Sequence, residues 1–194
     1  ILGTVNVIYG AMSAISQRDL KYIIGYSSVS HMGYVLMGIA TLHPVGMAGG
    51  VLQMFSHGIM TALMFAMVGA IYERSHIRDI FVLNGLMKKM GVTSVFFAVA
   101  GLASLGLPGL SGFIAEFMVF VGAFSTYWPL AVIAVVGAAI TAVYILRLLA
   151  RTFFGDFDPE WDHLTDASPV EKAVGGVFVL ILILVGVWPA LLLD

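Results

Sequence analysis

The sequence predicts an all-α, polytopic bundle of transmembrane helices with about six spans, one of them broken. Of the 194 residues, 60% are hydrophobic and only 10% are charged, whereas soluble domains carry about 25% charged residues. The apolar residues form runs long enough to cross a hydrocarbon core of about 30 Å, which takes about 20 helical residues. The basic residues fall on one side of the resulting topology, as the positive-inside rule requires.

We expect the chain to form a single transmembrane domain, residues 1–194. Its spans are predicted at 1–16, 22–42, 45–72, 91–127, 129–149 and 173–193. If these spans alternate in direction, all nine Lys and Arg lie on one side or at its membrane edge. They are Arg18, Lys21, Arg74, Arg78, Lys88, Lys89, Arg147, Arg151 and Lys172. We therefore expect these loops on the cytoplasmic side of a cell (inner) membrane.

The composition excludes several classes of protein and site. The absence of cysteine excludes disulfides, thiolate metal sites and iron–sulfur clusters held by this chain. No dinucleotide-binding or P-loop glycine motif is present, and a net charge of −2 does not favour nucleic acid. The polar segment 155–172 lacks the Gly and distal Glu of an EF-hand, so we interpret it as a solvated loop. Because Ile1 lies within an apolar run, we expect a fragment of a longer protein.

The predicted span 91–127 is too long for one straight crossing, since a helix rises only about 1.5 Å per residue. Pro108 lies near its middle and removes a backbone donor. Gly109 and Gly112 add conformational freedom. We therefore expect two half-helices joined by a non-helical link, a feature that marks ion sites in transporters. The alternative is two separate helices or a re-entrant pair.

Three ionisable residues lie deep within predicted spans: Glu116, His31 and His57. Glu116 follows the break by about one turn, and His31 lies near the middle of the second span. A charge at bilayer depth costs about 2.5–3.5 kcal/mol and usually faces the interior of a bundle. Ser27 and Tyr34 share a helix face with His31, because they precede it by four residues and follow it by three. This stripe favours contact with protein or water rather than lipid.

A second polar stripe lies on the third span, where Gln53, His57 and Thr61 follow one another at intervals of four residues. Imidazole both donates and accepts protons near neutral pH, which suits a proton relay. The alternative is that the two histidines only hold helices together through hydrogen bonds. A zinc site of His31, His57 and Glu116 is disfavoured, because the three lie on different helices without a short ligand spacing.

Four segments also resemble the antiporter-like subunits of respiratory complex I. Residues 19–34, DLKYIIGYSSVSHMGY, resemble the junction of the ninth and tenth helices of that family. Residues 53–58, QMFSHG, resemble its eleventh helix. Residues 72–79, YERSHIRD, resemble the cytoplasmic link that follows that helix. Residues 107–117, LPGLSGFIAEF, resemble its broken twelfth helix. The related sodium/proton antiporter subunits share much of this pattern.

The resemblance implies an M-like (chain 4) subunit, of which this chain would be the C-terminal half. At the position of Glu116 the L-like and N-like subunits carry Lys, whereas the M-like subunit carries Glu. His31 and His57 also match the M-like pattern. The family fold implies one half-channel that opens to the outside and joins a central hydrophilic axis. Glu116, His31 and His57 would then lie on a proton path.

The function implied is that of a proton-translocating subunit, driven by electron transfer from NADH or ferredoxin to quinone elsewhere in the complex. No cofactor is expected in this chain; NADH, FMN, iron–sulfur clusters and quinone are expected in partner subunits. The partners would be the neighbouring L-type and N-type subunits and the lipid bilayer. The alternatives are a subunit of an Mrp-type cation/proton antiporter or membrane-bound hydrogenase, and a structural membrane subunit without its own proton path.

Overall fold

A computed structural model describes residues 1–193. All regular secondary structure in these residues is helical, which confirms the predicted all-α bundle. The helices are α1 (Leu2–Ser16), α2 (Leu20–Ala40), α3 (Pro44–Ser75), α4 (Gly91–Ser104), α5 (Ser111–Thr152), α6 (Pro169–Val187) and α7 (Ala190–Leu193). Two short 3₁₀ turns, Leu86–Lys88 and Pro159–His163, lie in the links that follow α3 and α5.

Length and hydropathy divide the helices into two groups. By these criteria α2, α3, α5 and α6 are each long and apolar enough to cross a membrane. The helices α1 and α4 are also apolar but shorter, with 15 and 14 residues. The molecule is therefore a polytopic bundle in which full-length spans pack around shorter helical pieces.

Local chemistry explains where several helices begin. The Asp19 side chain accepts hydrogen bonds from the backbone N–H groups of Lys21 and Tyr22, so α2 starts two residues before the predicted span. Pro44 occupies the first turn of α3, where its missing N–H costs nothing. At the start of α6, Ser168 and Glu171 form a capping box.

The predicted break at Pro108 is confirmed, because residues 105–110 form a non-helical link between α4 and α5. Gly106 and Gly109 adopt φ angles of +72° and +93°, which L-residues with a side chain rarely adopt. Gly112 lies so close to the Ala103 carbonyl oxygen that a Cβ atom would overlap it. The two half-helices therefore approach each other closely at the break.

The range α5 contains two helical segments that meet at the boundary expected between residues 127 and 129. Tyr127 departs from helical geometry, with φ −141° and ψ 57°, and the second segment continues to Thr152. Pro129 has no N–H to donate to the carbonyl of Ser125. The two segments therefore follow each other across a kink, without an intervening loop.

Small residues allow α1 and α2 to approach closely. A Cβ atom on Gly33 would lie 2.6 Å from the carbonyl oxygen of Gly3, so the two backbones are in contact. The largest buried apolar cluster joins α2, α3, α4 and α5 and includes Ile24, Met64, Phe97 and Leu148. This packing positions the polar residues of four helices around one buried region.

The polar segment 155–172 is only partly a solvated loop. Asp156, Asp158 and Glu160 are exposed, but the Asp166 carboxylate accepts hydrogen bonds from the backbone N–H groups of Val92 and Thr93 at 2.8 and 3.1 Å. These contacts satisfy donors at the start of α4. Partial burial alone would raise the pKa of Asp166, but the hydrogen bonds that it accepts hold that pKa below its usual value.

Candidate functional site

Glu116 lies in the second turn of α5, just past the helix break, and is almost fully buried. Its Oε1 atom lies 3.6 Å from Nε2 of His31. On the other side, Gly106 leaves room for the carboxylate, because a Cβ atom there would lie 3.0 Å from Oε2 of Glu116. The break therefore shapes the space that holds the carboxylate.

His31 is fully buried on α2 and contacts two serines through its two ring nitrogens. Nδ1 lies 2.7 Å from the carbonyl oxygen of Ser27 and 3.3 Å from its hydroxyl. Nε2 lies 2.9 Å from the carbonyl oxygen of Ser104 and 3.4 Å from its hydroxyl. Each ring nitrogen thus has a hydrogen-bond acceptor and a hydroxyl donor within reach.

This arrangement accommodates each protonation state of the ring. As a cation, His31 can donate one N–H to each carbonyl. As a neutral ring, it can donate one N–H to one serine carbonyl and accept the hydroxyl proton of the other serine. A proton can therefore enter or leave at either edge of the ring without leaving a buried nitrogen unpaired.

The helix break makes one of these acceptors available. Since α4 ends at Ser104, its carbonyl is among the last four of the helix, which have no intrahelical N–H partner. The carbonyl instead faces Nε2 of His31. The interruption in the helix thus supplies a hydrogen-bonding group that a continuous helix would use internally.

The chain of hydrogen bonds continues from Ser27 to Tyr144 on α5. The Tyr144 hydroxyl donates to the Ser27 hydroxyl at 2.7 Å, and both side chains are buried. Sequence reasoning missed Tyr144 and Ser104. The signal for Tyr144 was its polar group on an apolar span, and the signal for Ser104 was its place just before the break.

His57 on α3 lies beside His31, with ring centroids 5.2 Å apart and planes 24° from parallel. Within residues 1–193 its buried Nδ1 has no hydrogen-bond partner, and neither polar atom of the Gln53 side chain has one. Buried polar groups of this kind are usually satisfied by ordered water. The structure therefore brings together Glu116, His31 and His57, which the sequence placed on three different spans.

The other two predicted supporting residues bond to the backbone. The Tyr34 hydroxyl donates to the Ala134 carbonyl at 3.1 Å, and its ring edge faces His31. The Thr61 hydroxyl donates to the carbonyl of His57 rather than to the imidazole. Both residues pack beside the histidines but lie outside the chain of side-chain hydrogen bonds that links Tyr144 to His31.

The link between α4 and α5 is enclosed by protein. At the start of α5, the hydroxyls of Ser111 and of Ser56 on α3 are 2.7 Å apart, so one donates to the other. On α6, a Cβ atom at Gly186 would lie 2.5 Å from the carbonyl oxygen of Gly109, which shows that this helix covers the link. Irregular backbone at membrane depth requires such shielding from lipid.

The geometry does not favour a metal site. In the part of the chain that the structure describes, no group of three His, Cys, Asp or Glu side chains is arranged to hold a metal ion. The buried cluster contains hydroxyl, imidazole and carboxyl groups in hydrogen-bonding contact. These are groups that exchange protons, and within membrane proteins such chains mark proton relays.

The family model "NADH:quinone oxidoreductase/Mrp antiporter, TM" matches residues 1–141. The chain belongs to this family. Its match with NAD(P)H-quinone oxidoreductase chain 4 2 of Synechococcus sp. (strain JA-3-3Ab) is 42% identical over 201 residues and covers 98% of this chain. It spans 38% of the length of that relative. The predicted resemblance to chain 4 subunits is thus confirmed.

Solved structures of this antiporter-like family share the fold. A chain of respiratory complex I from Thermus thermophilus with bound NADH superimposes with a TM-score of 0.93 at 30% identity, covering 98% of this chain and 40% of that one. A chain of the membrane-bound sulfane sulfur reductase, an archaeal respiratory membrane complex, gives a TM-score of 0.90 at 28% identity. The match covers 96% of this chain and 31% of that one. The chain is therefore a membrane protein homologous to a subunit of multi-subunit complexes.

Proposed function

We propose that this chain forms part of a proton-translocating, chain 4-like membrane subunit of an NAD(P)H:quinone oxidoreductase complex. The observation that carries the proposal is the environment of His31. Its two ring nitrogens face Ser27 and Ser104, and its Nε2 lies 3.6 Å from the Glu116 carboxylate. A buried imidazole that keeps its hydrogen bonds in each protonation state is suited to passing protons.

In this proposal, protons pass between Glu116 and His31 at the helix break. From His31 they pass to His57 through a bridging water, because the stacked rings present no direct hydrogen bond between their nitrogens. Two imidazolium ions 5.2 Å apart would repel each other strongly in a buried site, so the pair holds one excess proton at a time. Gln53 extends the path through its two buried polar atoms.

Tyr144 and Ser27 supply a branch toward α5. The Tyr144 hydroxyl holds the Ser27 hydroxyl, which in turn faces Nδ1 of His31. When Nδ1 carries a proton it donates to the Ser27 carbonyl, and when it does not, the Ser27 hydroxyl can turn to donate to it while accepting from Tyr144. The branch thus keeps Nδ1 hydrogen-bonded in both tautomers of the neutral imidazole.

The remaining assignments follow from the family. The energy comes from electron transfer in partner subunits, which hold the NADH, FMN, iron–sulfur clusters and quinone. The neighbours in the membrane are L-type and N-type antiporter-like subunits. The spans alternate so that the links carrying Arg18, Arg78 and Arg151 face the cytoplasm, in a cell (inner) membrane.

The test uses the intact complex, with the full-length subunit, in proton-tight vesicles. Glu116→Gln removes the titrating group, whereas Glu116→Asp retains it. We expect Gln to lower the ratio of protons moved per electron, and Asp to lower it less. The matched control is Glu73→Gln, since Glu73 is an exposed carboxylate at the end of α3. An unchanged ratio in both Glu116 variants would leave a structural membrane subunit as the better description.

A further inference from the structure

Three arginines surround one phenylalanine where α1 and α5 end. The guanidinium carbons of Arg18, Arg147 and Arg151 lie 5.1, 5.4 and 5.4 Å from the centre of the Phe81 ring. Arg18 follows α1, the other two lie in the last turns of α5, and Phe81 belongs to the link after α3. We call these three side chains the arginine cluster.

The cluster carries uncompensated positive charge. Within residues 1–193, none of its guanidinium groups forms a salt bridge with a carboxylate within 4.0 Å. Of the adjacent carboxylates, Asp19 pairs with Arg78 at 3.1 Å. In the part of the chain that the structure describes, Asp79 accepts the Phe81 N–H at 2.8 Å and forms no salt bridge with the three arginines.

Attraction to the Phe81 ring does not by itself explain why the three arginines lie so close together. The ring attracts each of the three guanidinium groups, but a cation–π contact at an exposed site is worth only about 0.5–1 kcal/mol, and the three charges repel one another. Arg147 has a structural role, because it donates to the Ile15 carbonyl at 2.7 Å near the end of α1. Arg18 and Arg151 have exposed side chains and no hydrogen-bonded acceptor in the described residues.

Apolar surface continues from the cluster along the membrane. On α5, Val143 and Leu146 precede Arg147 within one turn and are each more than half exposed. On α1, Tyr9 and Met12 are also more than half exposed.

We propose that the arginine cluster binds the phosphate of an anionic phospholipid whose acyl chains lie along the faces of α1 and α5. Guanidinium groups bind phosphate oxygens through paired hydrogen bonds, and the negative charge of the phosphate would offset part of the charge of the cluster. Basic sites at the cytoplasmic ends of transmembrane helices recognise anionic headgroups in this way. The apolar surface beside the charges favours a lipid over a free phosphate ion.

The test is a thermal-shift titration of the intact complex, with its full-length subunit, after lipid removal in neutral detergent. Phosphatidylglycerol, phosphatidylcholine with the same acyl chains, and inorganic phosphate are compared. We expect phosphatidylglycerol alone to raise the melting temperature in a saturable way. A similar rise with inorganic phosphate or phosphatidylcholine would overturn the proposal, as would no response to phosphatidylglycerol, since another part of the protein would then cover the site.

The informative variant is Arg18→Gln combined with Arg151→Gln, which spares the bond between Arg147 and the end of α1. A charge-assisted hydrogen bond to a phosphate oxygen is worth at least about tenfold in binding, so the double variant, which removes two such donors, should weaken phosphatidylglycerol binding about 100-fold. The control, Lys21→Gln with Lys172→Gln, removes the same charge outside the cluster and should change binding less than threefold. Equal weakening in both double variants would show that net charge alone explains the effect, and would overturn the proposed binding site.

Discussion

Nε2 of His31 lies 3.6 Å from Oε1 of Glu116, so the imidazole of α2 meets the carboxylate that follows the helix break. The same nitrogen faces the carbonyl of Ser104, the last residue before the break. One imidazole edge therefore contacts both sides of the interrupted helix. Any movement of the half-helices relative to each other would change whether Nε2 of His31 donates its hydrogen bond to the Ser104 carbonyl or to the Glu116 carboxylate, and only the carboxylate can take up the proton.

The serine hydroxyls beside His31 are expected to matter for proton transfer. Ser27→Ala and Ser104→Ala each remove a hydroxyl that can donate a hydrogen bond to the unprotonated ring nitrogen in one neutral tautomer of His31. A lost hydrogen bond is worth about 1 kcal/mol, so each variant should slow pumping about fivefold while the complex remains assembled. Proton uptake by vesicles measures the effect. Ser28→Ala is the control, because Ser28 bonds only to the Ile24 carbonyl; equal losses in the control would argue against the assignment.

The two stacked histidines allow a test of whether protons pass through one histidine and then the other along a single path. His31→Gln and His57→Gln should each slow pumping, and the double variant should be little worse than either, because one interrupted step already blocks the route. If the histidines only hold helices together, the losses should appear in the yield of intact complex and should add. His163→Gln, in the link after α5, serves as the control. Normal pumping in the double variant would exclude the relay.

Gly106 is expected to be the glycine at the break whose substitution acts directly on Glu116. It has a φ angle of +72°, and a Cβ atom there would lie 3.0 Å from Oε2 of Glu116. Gly106→Ala should therefore destabilise the protein by about 1–2 kcal/mol and displace the carboxylate, which lowers pumping. Gly176→Ala on α6 is the matched control, since a Cβ atom there has no neighbour within 4 Å. Melting curves and proton uptake would be compared; equal behaviour of the two variants would contradict the prediction.

Asp166 is expected to stabilise the start of α4 in a pH-dependent way. Its folded-state pKa lies below the usual value, so its contribution to stability is present above the unfolded-state pKa of about 3.9 and is lost as the pH falls through the folded-state pKa. At neutral pH Asp166→Asn should cost about 1 kcal/mol. Melting of the complex between pH 3 and 7 (about the range of carboxylate titration) measures this. Asp156→Asn, at an exposed position, should have no such effect; a pH-independent difference between Asp166→Asn and the parent would contradict the prediction.

The proposed orientation can be tested by cysteine labelling, because this chain contains no native cysteine. Met87→Cys in the link after α3 should react with a membrane-impermeant maleimide only from the cytoplasmic side. Leu42→Cys in the turn between α2 and α3 should react only from the outside; both native side chains are exposed. Labelling of both positions from the same side would overturn the alternation of spans.

Much of the fold could be predicted from the sequence because its signals are local. Apolar runs determine where a helix can span a bilayer, and Pro108 with its neighbouring glycines determines where one must break. The polar stripes containing His31 and His57 follow from helical periodicity alone. The predicted boundary before Pro129 coincides with the kink at Tyr127, but the sequence did not indicate that the two helical segments follow each other without a loop.

The tertiary structure decided which residues come together in the buried site. The sequence by itself determined that Glu116 and the two histidines lie within apolar spans and must face the interior of the bundle. Only the packing of α2 against α4 and α5 decided that His31 lies between Ser27 and Ser104, and that Tyr144 reaches Ser27. The physical reason is that periodicity specifies a face of one helix, whereas a hydrogen bond between helices also requires their rotation, depth and crossing angle, which many side-chain contacts set together.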